Sequence, residues 1–542
     1  MKVEPDVRTH LLESLLERMA LDPRLAGLVS PVEAEALAAL LGRPVPQPET
    51  DETDLEEDLP AERSPPSSAP PPEEKTTAAE PSEAPGGDIP GPRKGLTLDL
   101  SSRSAAPAPG LVLCLDFGTS QSKVGLFRDG REVLPLRIGG SIEPFSVDSA
   151  LSLGTRIHFG SAAREAALRG APIADRLKRY LGHIPVAGLP KTPLGGASLR
   201  SLGVSEAPED LRLDHAVVLY LAWLTHRARE AARSQHGLDG RLLRRFALPC
   251  WPTSRWLALQ PRIAEWIGAA EVVADTFGPT LLEDGVPRSD AKAVLERLSA
   301  LEAQPGPLVS RAVAEPVAAA ASRFGPEVAC RGLVLVVDMG AGTTDLALFW
   351  VEADPDDGRF ELSQIEGGTD FSTFAGDAVD RALAEHLGVG RFPSLDLLAE
   401  TRAVKEALLQ HGEAAFRGRT VTRGELLGLP PMLELEALLR ARIAELMERV
   451  APKLGPDVQT LRVCLAGGGA RLPAMTALVR GETQTASRTL THRPGPELPR
   501  FVGRNLELRA NYPRLAVALG GASGYLPASG RVGNHLASSD VP

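Results

Sequence analysis

Aromatic side chains make up only 4% of the 542 residues, and cysteine occurs four times. So few aromatics leave little with which to build a stacking platform for single-stranded nucleic acid. Cys114, Cys250, Cys330 and Cys464 are far apart and form no CxxC pair, and three of them sit in or beside apolar, strand-like runs. Such a pattern fits reduced, buried thiols in a cytosolic protein. The N-terminus MKVEPDVRTH lacks an apolar signal core, and no run reaches the ~18 apolar residues of a membrane span. A basic surplus is also missing: 59 Lys and Arg face 70 Asp and Glu, a formal net charge of −11. The expectation is a soluble, cytoplasmic protein with neither a nucleic-acid nor a membrane partner.

The negative charge is concentrated. Between Pro44 and Pro92 thirteen acidic residues face only Arg63 and Lys75, so this stretch carries the whole formal net charge. It also holds thirteen prolines. Such a segment buries too little apolar surface to offset chain entropy, so residues 44–108 are expected to form a disordered acidic linker. Ahead of it, Val7, Leu11, Leu12, Leu15, Leu16 and Met19 fall on one helical stripe. Asp22 and Pro23 then read as a helix start, and Ser30 with Glu33 has capping-box spacing. Residues 1–43 are expected to be a helical appendage, either a marginal one or one whose stripe docks elsewhere or meets a protein partner. Residues 528–542 are expected to be a flexible tail.

The rest is long enough for several domains, and a 43% hydrophobic content is ample for a core. Strand-like and helix-like runs alternate, which indicates α/β layers. Two 17-residue stretches carry the most information: LVLCLDFGTSQSKVGLF from Leu111 and LVLVVDMGAGTTDLALF from Leu333. They align without a gap, are identical at seven positions, and start 222 residues apart. Each reads as a strand, a glycine-rich polar turn and a second strand. An ordinary hairpin turn needs only Asn-Gly or Asp-Gly. Glycines that admit phosphate oxygens, with a carboxylate for a hydrated metal, would explain the excess.

Three further segments accompany these hairpins: AEPVAAAAS from Ala314 lies between them, and LAGGGARLP from Leu465 and NYPRLAVALGGA from Asn511 come after. Together the five resemble, in order, the nucleotide-binding motifs of the actin, sugar-kinase and heat-shock ATPase superfamily. FGSAAREAALRG from Phe159, DRLKRYLGH from Asp175 and AGDAVDRALAEHLG from Ala375 are similar to the 70-kDa heat-shock chaperone branch. The resemblance covers roughly Leu111 to Leu526. It implies a two-lobed actin-like ATPase fold of duplicated ribonuclease-H-like domains over 109–527. Lobe I would span about 109–314 and lobe II about 333–510, with a return to lobe I at about 511–527.

The resemblance also implies ATP or ADP with Mg2+ as ligands, slow hydrolysis and a monomer. Asp116 and Asp338 would hold the metal through water. Lys178, Glu315, Thr343 and Asp345 would serve hydrolysis. Gly118, Thr119, Ser120, Gly340, Ala341, Gly342, Thr343 and Thr344 would meet the phosphates. Gly376, Lys405, Gly467, Gly468, Gly469 and Arg471 would hold the nucleoside. The sequence departs from the family at three of these surroundings: Arg402 stands where a glutamate is usual, Glu406 where a basic residue is, and Arg514 where an acidic one is. Sixteen residues follow Leu526, so a peptide-binding domain is not expected. The rival readings are a small-molecule kinase of the sugar-kinase type and a non-catalytic or filament-forming nucleotide-binding scaffold.

Overall fold

In the computed structural model both hairpins form as read. Strands β1 (Leu111–Asp116) and β2 (Gln121–Arg128) pair antiparallel, and β3 (Glu132–Pro135) and β4 (Ser146–Asp148) both pair antiparallel with β2. On the other side β1 lies parallel to β5 (Leu243–Leu248), which lies parallel to β6 (Val309–Ala314). The first sheet therefore runs β6-β5-β1-β2-β3. Helices α1 (Leu213–His236) and α2 (Thr253–Phe277) pack with it around one apolar core.

The second sheet repeats this order and sense. β7 (Cys330–Met339) pairs antiparallel with β8 (Thr344–Asp354), and β8 with β9 (Arg359–Ser372). β7 lies parallel to β10 (Thr460–Ala466), and β10 to β12 (Thr489–Pro494), with β11 (Glu482–Gln484) at the edge. Strand periodicity divides β7 between two cores. Leu333, Leu335 and Val337 join a core with helix α6 (Pro430–Val450). Val334 and Val336 face the opposite way, into a core between the sheets.

That middle core is built on two helices, α3 (Glu315–Arg323) and α7 (Leu506–Ala522). They cross closely because glycine lies at the contact: a Cβ on Gly520 would stand 1.7 Å from the Ala318 carbonyl oxygen. Helix α7 begins at Leu506, seven residues before Pro513. The Asn505 side chain caps it by accepting from the Leu508 N–H at 3.0 Å, and Pro513 lies inside. Helices α4 (Gly376–His386) and α5 (Leu395–His411) complete the second half.

The structure describes residues 96–527 apart from 130–131, 142, 184–197, 201–203, 205–206, 240, 284, 303–304 and 391–394. The expectations for residues 1–43, for the linker before Leu96 and for the tail 528–542 lie outside these. Residues 96–108, read as linker, lie on the first half. Leu96 and Leu98 pack against its core, and the Asp99 N–H donates to Thr276 Oγ1 at 3.0 Å. Among the described residues no helix is long and apolar enough to cross a membrane.

Candidate functional site

The two hairpin turns abut. A Cβ on Gly342 would stand 2.8 Å from Thr119 Oγ1. Between the halves is a cavity of ≈ 320 Å³, in the range of small-molecule sites. The first turn contributes Asp116, Gly118, Thr119 and Ser120, and the second Asp338, Gly340, Ala341, Gly342 and Thr343. Lys178, Glu315, Gly376, Lys405, Gly467, Gly468, Gly469 and Arg471 also line it. Two turn amides are engaged by the turns themselves: Gly118 N–H donates to the Asp116 carbonyl and Gly340 N–H to that of Thr343. The amides of Thr119, Ser120, Ala341 and Gly342 make no such bond to a turn or loop carbonyl.

Two expected residues do not line the cavity. Thr344 opens β8 and points inward, with Oγ1 donating to the Phe374 carbonyl at 2.8 Å. Its place is structural. Asp345 lies one step behind the turn. Its Oδ2 accepts from Thr343 Oγ1 at 2.7 Å and its Oδ1 from the Cys250 N–H at 2.6 Å.

The charged floor is acidic. Lys178 and Glu315 form a buried ion pair, and Lys123 Nζ lies 3.3 Å from Asp116 Oδ2. Asp338 and Asp345 add two more buried carboxylates. Burial, then the charges of Glu315, Asp345 and Asp116, push the Asp338 carboxyl well above its ordinary pKa. Burial and then Glu315 raise Asp345 to about 7. Ionised together, the four carboxylates outnumber the two lysines, and a divalent cation would offset that surplus. Among the described residues no three or more His, Cys, Asp or Glu side chains stand close enough to hold a metal directly. A hard cation that keeps its waters, as Mg2+ does, fits this all-oxygen donor set.

The glycine turn after β10 forms the far wall. Gly467 has φ +81°, and a Cβ there would meet the Met339 carbonyl oxygen at 2.3 Å and Asp338 Oδ1 at 2.4 Å, so a side chain is excluded. Opposite it, Arg402, Lys405, Glu406, Leu409 and Gln410 line the cavity from one face of α5. Lys405 Nζ lies 2.5 Å from Asp380 Oδ1, and Arg402 Nε donates to Asp380 Oδ2 at 3.2 Å. The departures at 406 and 514 answer one another: Arg514 donates to Glu406 Oε2 at 3.3 Å and to Glu143 Oε1 at 3.1 Å. Arg471, expected beside a base, donates to the Ala510 carbonyl. Sequence reasoning missed Lys123, Asp380, Glu143 and Gln410. Only Lys123 carried a local signal, as the lysine ending DFGTSQSK.

No family model matches the chain. A chaperone protein HscA homolog of Burkholderia mallei is 27% identical over 403 residues, covering 70% of this chain and 56% of its own length. HscA homologs of Burkholderia pseudomallei and Burkholderia cenocepacia match with the same identity and coverage. The chain is a distant relative of the Hsp70-type chaperones. It spans about half the length of these curated relatives. The Hsp70-type relationship agrees with a mixed α/β architecture of several sheets.

Proposed function

We propose that the chain binds ATP with Mg2+ in the cavity between its halves and hydrolyses it slowly, as a nucleotide-dependent switch of the Hsp70 type. The observation that carries this reading is the meeting of two glycine-rich turns, from like-ordered sheets, over one acidic cavity. The repeated strand order also supports reading the fold as actin-like, with two ribonuclease-H-like lobes. Turn amides and the hydroxyls of Thr119 and Ser120 would receive phosphate oxygens. Mg2+, held through water by Asp116 and Asp338, would neutralise charge on the phosphates. Lys178 would set a point charge beside the transferred phosphoryl group. Glu315 would accept a hydrogen bond from the attacking water and orient it, and Asp345 would act from behind the turn by holding Thr343 Oγ1. Gly467, Gly468 and Gly469 would let the nucleoside lie on backbone.

Calorimetric titration with MgATP and MgADP, followed by phosphate release, tests this reading. Saturable binding and phosphate release to water are expected, and Asp338→Asn should slow release at least tenfold, about 1.4 kcal/mol in the barrier. No binding at millimolar nucleotide would overturn the proposal. Transfer of phosphate to a small hydroxyl compound would favour a kinase.

A further inference from the structure

Asp377 is a buried carboxylate, 5% exposed, and neither of its oxygens has a hydrogen-bond partner. Three guanidinium groups surround it. Arg176 Nη1 is 3.6 Å and Arg179 Nη1 3.9 Å from Oδ2, and Arg402 Nη2 is 3.8 Å from Oδ1. All three distances are too long for hydrogen bonds. An ionised group buried without such bonds is costly, so a small approach of these arginines is favoured. Arg402 belongs to the same half as Asp377. Arg176 and Arg179 belong to the other, so their approach is a closing of the cavity.

Asp377 is bonded through its backbone to the second hairpin turn. Its N–H donates to the Ala341 carbonyl at 2.8 Å, and the Gly376 N–H donates to that of Gly340 at 3.1 Å. On the first half, Arg176 stands two residues before Lys178 with φ 55°, a left-handed conformation that costs energy in a non-glycine residue. The Arg179 N–H donates to the Arg176 carbonyl at 2.8 Å, closing a turn around Lys178. The carboxylate thus lies between the turn that would receive phosphate and the turn that presents Lys178.

The geometry points to Asp377 as a positioning residue that couples phosphate at the second hairpin turn to seating of the Lys178 segment. This inference rests on the nucleotide reading above. Phosphate at residues 340–343 orders the backbone to which Asp377 is bonded. Asp377 then takes hydrogen bonds from Arg176 and Arg179, which draws the first half onto the second and fixes Lys178 against the cavity. Asp377 itself touches no reacting atom.

Hydrogen exchange on the full chain, with and without MgADP, tests the coupling. In the wild type both 339–344 and 173–179 should exchange more slowly when MgADP is bound. In Asp377→Asn the protection of 339–344 should persist and that of 173–179 should be lost, with release of a fluorescent ADP analogue at least tenfold faster. Asp377→Glu should recover most of the protection. Arg176→Gln, which leaves Asp377 intact, should reproduce the loss. If Asp377→Asn and Arg176→Gln both keep protection at 173–179, the coupling is refuted. If the wild type protects 339–344 alone, the coupling fails and the nucleotide reading survives. If neither segment responds in the wild type, both fail.

Discussion

Lys178 and Glu315 meet as an ion pair inside the protein, 4% and 8% exposed, although 137 residues separate them in the chain. Lys178 comes from the segment after a left-handed arginine, and Glu315 opens helix α3. Burial raises the Glu315 pKa, and the Lys178 charge is the main force against that rise. Lys178→Met would leave Glu315 buried and unpaired. Its unfolding free energy should fall by about 3–5 kcal/mol, the usual cost of breaking a buried pair from one side. Adding Glu315→Gln should recover most of that loss. Denaturant titrations of Lys178→Met, Glu315→Gln and the double variant check this, and additive losses would mean that the pair is not coupled.

Asp345 sets a pH dependence. Its carboxyl sits at about 7 in the folded chain, raised by burial and then by Glu315, against an ordinary 3.8. Below pH ~4 both folded and unfolded chains hold this proton, and the full stability is present. Between ~4 and ~7 the folded chain retains a proton that the unfolded chain has lost, so stability falls as pH rises. Above ~7 the loss is complete. Without nucleotide or metal, Asp345→Asn should match the wild type near pH 4 and be the more stable protein at pH 8. Denaturant midpoints across that range read the difference. Parallel curves for the two proteins would remove Asp345 as the source.

What the sequence made legible follows from local pattern. The seven matching positions of the two hairpins already contain the repeat that the sheets display, because identical strand-turn-strand chemistry folds in the same register. The expected phosphate and nucleoside residues line one cavity apart from Thr344. Thr344 was misread because two adjacent hydroxyls look equivalent in a motif, whereas successive residues entering a strand point to opposite faces.

Pairings across the fold were not legible. Glu406 and Arg514 each look like a loss of a binding residue when read alone. Only the folded chain, which brings residues 108 positions apart to 3.3 Å, makes them one exchange of charge. The start of α7 was hidden for a related reason. Proline usually marks the first turn of a helix, but the cap at Asn505 and the tertiary packing of Leu508 and Tyr512 carry the helix past Pro513.

Residues 96–108 offer a test of where the folded part begins. Proline and serine there suggest a linker, yet the Arg103 guanidinium donates to the Glu302 carbonyl at 2.9 Å and Arg241 donates to Ser101 Oγ at 2.9 Å. Leu96 and Leu98 add apolar burial. A chain starting at Leu96 should unfold at the same denaturant concentration as the full chain. One starting at Pro109 should lose about 2–4 kcal/mol, the sum of two partly buried leucines and several hydrogen bonds. Equal midpoints for the two truncations would mean that this segment adds nothing to stability.

Among the described residues, the crossing of α3 and α7 at Gly520 leaves less room for an added Cβ than any other glycine site. Beyond the Ala318 carbonyl oxygen, a Cβ on Gly520 would lie 2.5 Å from the Ser322 backbone nitrogen. Both neighbours are backbone, so no side-chain rotation relieves the clash and the helices must separate. Overfilling a packed core typically costs about 1–3 kcal/mol, more where rigid elements have to move. Gly520→Ala should therefore cost at least ~3 kcal/mol, whereas Gly503→Ala, with no atom within 4 Å of the added carbon, should change stability by less than ~1 kcal/mol. Helix α3 begins with Glu315, and α7 presents Arg514 and Val517 to the cavity. Separation of the two helices should then weaken nucleotide binding along with stability, and Gly503→Ala should leave both intact. Denaturant midpoints and nucleotide titrations on the two variants provide the comparison. A Gly520→Ala protein of wild-type stability would show that the helices cross less closely in solution.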